Sequence, residues 1–322
     1  MRYRRLGREG PQVSEVGYGA WGIGGSGWVG ADEQESVRAL QRAIDLGVNF
    51  IDTARGYGES ERLVGEVVAS CRDVRVYVAT KVPPANGLVP APTGLHPNGA
   101  FSRDHVRRCL ATSLEQLGLP AVDLLQFHAW QDEWLGRGQW EEAIEELKAE
   151  GVVRWFGVSI NDHQPASATK LVQSGLVDAV QVIYNVFDQS PEDELLPLCQ
   201  QHGVGVIVRV ALDEGGLTGR IRPDTTFPEG DFRRRYFRGD RRAEVARRVA
   251  AIRADLGLAQ DEIAAIALRF VLSHPAVTCV IPGMRSVRNV QRNVAVSDAG
   301  PLDRDTLTVL RRHRWVRNYY QD

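Results

Sequence analysis

Four side chains in this sequence make a proton-transfer site if the fold brings them together: Asp52, Tyr57, Lys81 and His128. Each stands at or just beyond the end of an apolar run. The run 48–51 ends on Asp52, and Tyr57 follows five residues later in a loop flanked by Gly56 and Gly58. The run 76–80 leads into Lys81, and Leu124-Leu125-Gln126-Phe127 leads into His128. A carbonyl that accepts hydride becomes an alkoxide and needs a proton as it forms. Tyr57 can give it, but a free phenol titrates near pKa ~10, too high for brisk transfer at neutral pH. An ammonium about 4 Å away, at an effective dielectric near 20, favours the phenolate by roughly 4 kcal/mol. That would lower the phenol's pKa by up to about three, and less where Asp52 partly neutralises Lys81. Asp52 would hold Lys81 in place and keep it charged. His128 can hydrogen-bond the substrate oxygen and orient the carbonyl. Singly, these residues read as a helix cap, a packed loop aromatic, a solvated strand end and a structural histidine. Their joint placement on three successive strands reads as a site.

Strands at 13–18, 48–52, 75–81, 123–128, 153–159, 179–184, 205–209 and 278–281 would position such a site. Helix-period segments fall between them, at 36–46, 102–117, 140–150, 164–174, 193–202, 241–256 and 260–273. Strand–helix alternation implies parallel strands joined by crossover helices. Eight such units predict an α/β fold of the (β/α)8 TIM-barrel type, with its site at the carboxyl ends of the strands. Residues 1–12, turning at Gly10-Pro11, are expected to form an N-terminal β-hairpin under the barrel. The stretches 129–139 and 213–240 are long loops on the site's side. The second carries Phe227, Phe232, Tyr236 and Phe237, which favour a lid packed on a ligand. The aromatic and basic run 313–320 is expected over the mouth. The whole chain, 1–322, reads as a single barrel domain.

The order Asp52, Tyr57, Lys81, His128 on successive strands resembles the aldo-keto reductases, and the resemblance covers nearly the whole chain. It places those four residues on the family's catalytic tetrad, with Tyr57 as general acid. It implies a nicotinamide cofactor and a small-molecule carbonyl substrate. Polar groups at strand ends can hold a carboxamide, and the family's matching Ser, Asn and Gln fall on Ser159, Asn161 and Gln181. Because the chain reads Ser159-Ile160-Asn161 where relatives read Ser-Asn, either Ile160 or Asn161 takes the middle place; Asn161 is the expected one. Arg209 stands where relatives carry an aromatic that stacks on the nicotinamide. A guanidinium can stack on a planar ring, or Arg209 contacts the pyrophosphate or the substrate. Leu212, Gly215 and Leu217 belong to a segment whose backbone amides would follow the pyrophosphate.

Residues 281–293 resemble the family's adenosine-phosphate clamp. A helix start near Ser286 favours anions, and Arg285 suits bidentate phosphate binding. With help from Arg288 or Arg292, it points to the 2′-phosphate and so to NADP(H) in preference to NAD(H). Gly283, Asn289 and Asn293 complete this set. Relatives often have Glu at 292, and Arg292 departs from that. Trp21 and Trp130 are expected beside the carbonyl with Tyr57 and His128.

Two literal G-x-G-x-x-G matches, from Gly17 and from Gly22, lack the helix a dinucleotide fingerprint must open. They read instead as a tight turn in which Gly19, Ala20 and Trp21 let backbone approach a ligand.

Lys plus Arg number 39 and Asp plus Glu 41, a net charge of −2. This balance argues against nucleic acid as a partner. The four cysteines show no metal or redox spacing. With no signal-like or membrane-length apolar run, they predict a cytoplasmic protein. The leading expectation is an NADPH-dependent reductase of an aldehyde, ketone or sugar carbonyl, or the same site run in reverse as a sugar or alcohol dehydrogenase. Competing readings are a cofactor-sensing regulatory subunit on the same barrel and a phosphate-binding lyase or isomerase. The last leaves Ser159, Gln181 and Arg285 unexplained.

Overall fold

Parallel strands need crossovers of a dozen or more residues, and the helical segments between the apolar runs supply them. The computed structural model describes residues 1–71 and 73–315. A hairpin, β1 (Tyr3–Arg5) and β2 (Gln12–Ser14), precedes eight parallel strands: β3 (Tyr18–Gly19), β4 (Phe50–Asp52), β5 (Tyr77–Val82), β6 (Val122–Phe127), β7 (Val153–Ser159), β8 (Ala179–Ile183), β9 (Gly205–Arg209) and β10 (Cys279–Val280). Each pairs with the next in chain order. Parallel bridges Val16–Val280 and Gly19–Gly283 bring the last strand back to the first and close the barrel.

The closing seam explains the glycines. A Cβ on Gly19 would sit 2.5 Å from the Ile281 carbonyl oxygen, and one on Gly24 only 1.6 Å from that of Tyr57. Their function is close backbone approach, and the segment after Gly19 is a short 3-10 turn, Trp21–Ile23, with no phosphate-binding helix. The run expected as one strand over 13–18 is divided. Its first part pairs with β1 in the register Tyr3–Ser14, and only its end enters the barrel.

The expected hairpin is present, but it turns at residues 7–9, ahead of Gly10-Pro11, and its second strand runs on to Ser14. Its Leu6 and Val13 join Phe50, Ala79, Leu124, Ala179, Ile207 and Cys279 in one buried cluster inside the barrel. A larger apolar layer separates strands from helices. The helix Ser60–Ser70 went unread in the sequence, where the glycine-flanked Tyr57 loop and Gly65 blur its period. Gly65 is needed there, because a Cβ would lie 2.0 Å from the Leu117 carbonyl oxygen of helix Arg103–Leu117.

The loop 129–139 packs inward. Trp130, Trp134 and Trp140 meet edge to face with ring centroids 5.0–5.6 Å apart. Of the C-terminal run, positions 316–320 lie outside the described residues. Trp315 is tied down by its backbone N–H to the Phe187 carbonyl at 2.8 Å. Among the described residues no helix is long and apolar enough to cross a membrane.

Candidate active site

Adjacent parallel strands put their last residues side by side. The ends of β4 and β5 set Asp52 beside Lys81, and Lys81 Nζ donates to Asp52 Oδ2 at 2.5 Å and to the Thr53 carbonyl at 2.9 Å. Both side chains are buried. Asp52 Oδ1 accepts from Gln181 Nε2 at 2.7 Å and from Gln126 Nε2 at 3.1 Å. Tyr57 reaches over this pair from the β4 loop, its ring centroid 4.9 Å from Lys81 Nζ. Its hydroxyl lies 3.5 Å from His128 Nε2. The four residues singled out in the sequence are therefore one cluster. Gln126 was missed as a member, although a glutamine inside the apolar run Leu124–Phe127 was the available signal.

Burial dominates the electrostatics. It works against the charge of Lys81, but Asp52 and Tyr57 outweigh it and hold the ammonium's pKa above its ordinary value. Burial also pushes the Tyr57 phenol up, against the pull of Lys81 and Arg209. This corrects the expected net lowering: taking a phenolate out of water costs more than the neutralised ammonium returns. His128 falls well below the ordinary imidazole range through burial and the nearby charges of Lys81 and Arg209. A buried phenol and a neutral imidazole, backed by an ammonium, can together give a proton to an oxygen that becomes negative.

These groups open into a cavity of about 1190 Å³. Of the residues read from the sequence, Gly19, Trp21, Asp52, Tyr57, His128, Ser159, Gln181, Arg209, Leu212, Gly215, Gly283, Arg285, Asn289 and Asn293 line it. Cβ positions on Gly215 and Gly283 would point into open space, so backbone is bare to a ligand there. The volume and these bare stretches fit an extended dinucleotide.

Four expected residues serve elsewhere. Ala20 joins two strand ends: its amide donates to the Asp52 carbonyl, and its carbonyl accepts from Ser60 Oγ. Asn161 faces the loop after β5, where its Oδ1 accepts from the Ala91 amide at 3.0 Å. Ile160 is buried as well, and the lining residue of that segment is Asp162. Leu217 is fully buried. Trp130 is fully buried too, and its indole N–H donates to Asp132 Oδ1 at 3.0 Å, so it walls no substrate pocket. Gln181 lines the cavity, but its amide nitrogen is engaged by Asp52 and Gln126.

Arg209 pairs with Asp162 at 2.6 Å and donates to the Ile160 carbonyl at 2.9 Å. Beyond it, Asp213, Glu214 and Gly215 take left-handed φ values of 50, 51 and 102°. Asp213 is fixed there by Tyr236 OH and Arg241 Nη2, both donating to its Oδ1 at 2.6 Å. The long loop then crosses to the loop after β3. The Phe232 amide donates to the Gly27 carbonyl at 2.7 Å, and Arg233 lies 4.5 Å over the Trp28 ring. The aromatic lid expected from residues 213–240 is thus a strap joined to residues 21–29.

The clamp segment differs from expectation. Arg285 lines the cavity, yet its Nη1 donates to the Val29 carbonyl at 3.1 Å and its guanidinium faces Trp28. At the start of helix Val287–Val294, the Val287 amide donates to Glu35 Oε1 at 3.0 Å, so the anion on that helix end is the protein's own. Arg292 pairs with Asp261, which also lines the cavity.

Comparison with known proteins gives a consistent result. The model of the Aldo/keto reductase family matches residues 15–314. The NADH-specific methylglyoxal reductase of Escherichia coli is 30% identical over 95% of this chain and 96% of its own. The pyridoxal 4-dehydrogenase of Microbacterium luteolum is 28% identical over 90% of this chain and 91% of its own. Among solved structures, the holo form of an aldo-keto reductase from Bacillus halodurans superposes with a TM-score of 0.75 at 27% identity, covering 100% of this chain and 99% of that one. The glycerol dehydrogenase of Gluconobacter oxydans gives 0.76 at 26% identity, with 97% and 95% covered.

Proposed function

The chain belongs to the aldo/keto reductase family, and from that premise we propose that it reduces an aldehyde, ketone or sugar carbonyl to the alcohol, with Tyr57 as general acid. It is a nicotinamide-dependent oxidoreductase. The bound dinucleotide supplies the hydride. Tyr57 holds its proton at neutral pH as any phenol does, burial strengthens that hold, and it releases the proton when negative charge develops on the substrate oxygen. Lys81 then stabilises the phenolate, and Asp52 keeps Lys81 in place. Neutral His128, 3.5 Å from the Tyr57 hydroxyl, orients the carbonyl. The observation that carries this reading is the Asp52–Lys81–Tyr57–His128 cluster at the floor of a cavity sized for a dinucleotide.

Ser159 and Gln181 are assigned to the nicotinamide carboxamide. Leu212 and Gly215 are assigned to the pyrophosphate, and Gly283, Asn289 and Asn293 to the adenosine. Trp21 is the residue beside the carbonyl. Arg285 supports a preference for NADP(H), held against its bond to Val29. The relatives' names cover both reduction and alcohol oxidation, so the same site serves either direction. The whole chain as one domain, placed in a reducing cytoplasm, accords with its four free cysteines.

Trp21 and Trp28 line the cavity, so dinucleotide binding should quench tryptophan fluorescence. Titration with NADPH and NADH, then a screen of small aldehydes, ketones and sugars, is the test. Saturable quenching with carbonyl-dependent cofactor oxidation is expected. Absence of binding by both dinucleotides would remove the reading.

A further inference from the structure

We propose that Gln126 is a positioning residue: its amide, bonded at both ends, fixes the Asp52 carboxylate that holds Lys81 beneath Tyr57. This rests on the reductase reading and adds to it a residue that does not line the cavity.

Side chains alternate along β6. Leu124 joins the apolar cluster inside the barrel, and Gln126, two residues on, faces the same way. It is fully buried. In register it stands beside Lys81 of β5 and Gly157 of β7. Gly157 leaves a gap there: a Cβ on it would lie 3.3 Å from Gln126 Cγ. Across that gap Gln126 meets Gln181 of β8. Gln181 Nε2 donates to Gln126 Oε1 at 3.1 Å and to Asp52 Oδ1 at 2.7 Å. Gln126 Nε2 donates to the same Asp52 oxygen at 3.1 Å. The three groups close a triangle, and Asp52 Oδ2 is left for Lys81.

A buried amide costs free energy unless it is bonded, and an apolar side chain would fill this layer without that cost. The amide's use lies in orientation. A carboxylate only accepts hydrogen bonds, so both glutamines must turn their nitrogens to Asp52. The oxygen of Gln126 is then left for Gln181. Asp52 cannot rotate without losing two donors on Oδ1 and the ammonium on Oδ2. That ammonium lies 4.9 Å from the centre of the Tyr57 ring, and the phenolate left by proton transfer needs it there. Without Gln126, Oδ1 keeps one donor, and that donor has lost a partner of its own. The carboxylate and its ammonium then gain freedom, and a charge that must reorganise during the reaction stabilises less than a fixed one.

The test compares the full chain with Gln126→Met and Gln126→Glu by melting temperature, dinucleotide quenching of tryptophan fluorescence, and steady-state carbonyl reduction against pH. Methionine matches glutamine in shape and offers no such hydrogen bonds, so the fold should survive. In Gln126→Met, kcat should fall about ten- to a hundredfold, the usual worth of a hydrogen bond to a charged group. KM and dinucleotide affinity should change little. In Gln126→Glu, a protonated carboxyl can donate to Asp52 and accept from Gln181, as the amide does. Burial beside a second carboxylate holds that proton on to higher pH than usual. This variant should turn over at nearly the wild-type rate at the acid end of the range and lose activity, as the proton leaves, at a lower pH than the wild type does. A folded Gln126→Met protein with wild-type kcat overturns the proposal, as does a Gln126→Glu pH profile that overlays the wild type's. Should Gln126→Met fail to fold, the profile of Gln126→Glu decides alone. Wild-type protein without carbonyl-dependent turnover would instead strike the reductase reading, and this inference with it.

Discussion

Burial raises the pKa of the Tyr57 phenol and makes it a weaker acid, an effect that Lys81 opposes without outweighing it; the help Lys81 gives the donor is to stabilise the phenolate left when the proton goes. The phenol is protonated when a carbonyl arrives, as reduction requires. Replacing Tyr57 with Phe removes the donor and leaves the cavity's shape. Turnover should fall by about 10²–10⁴, the usual worth of general acid catalysis, while dinucleotide affinity stays within about twofold; steady-state kinetics and a binding titration check both. His128 makes a different prediction. Its folded pKa lies well below 6.5, and unfolded histidine titrates near ~6.5. Below that pH the unfolded chain binds a proton that the native one refuses, so the stability His128 permits is present above pH ~6.5 and lost as pH falls. Urea midpoints measured from pH 7.5 to 5 should drop, and His128→Gln should flatten that slope. An equal slope in the variant would assign the acid sensitivity to other groups.

Among the elements, helices Ser60–Ser70 and Arg103–Leu117 pack on each other, and the second packs on β5, the strand that carries Lys81. Their approach is set by one missing Cβ, that of Gly65, 2.0 Å from a rigid backbone carbonyl. Gly65→Ala raises helix propensity but forces the two helices apart. Overpacking of this kind costs about 1–3 kcal/mol, so the urea midpoint should fall; a rise would mean that the helices separate freely. The strap is an element of another kind. It owes its shape to the Asp213–Tyr236–Arg241 knot and to Arg233 on Trp28. None of these pairs follows from local periodicity, since the partners come from loops and helix ends brought together by the barrel.

For the whole molecule, the hairpin shares one buried cluster with the barrel interior. Leu6 is 3% exposed and fills the barrel floor with Val13 and Phe50. Leu6→Ala should cost about 2–5 kcal/mol without touching the cavity, giving a lower denaturation midpoint with unchanged dinucleotide affinity. Lost affinity at full stability would contradict that separation. Much of this architecture was legible beforehand. Alternating apolar runs and helix-period segments are local patterns, and they determined the parallel barrel and the helix Arg241–Leu256 to its ends. Asp52, Lys81 and His128 were legible because each ends an apolar run, and parallel strands bring such ends to one face. The rest depended on which way side chains turn and on what they meet. Asn161 and Trp130 carry the right chemistry but face Ala91 and Asp132. Gln126 and Asp162 enter the site through partners on other strands. Arg285 and the helix start at Ser286 suit a phosphate, yet Val29 and Glu35, some 250 residues away in sequence, already bind them. Period and composition are properties of neighbours along the chain, and they determined the fold and the place of the site. Burial, net pKa direction and competition among partners are properties of neighbours in space, and only the tertiary structure decided them.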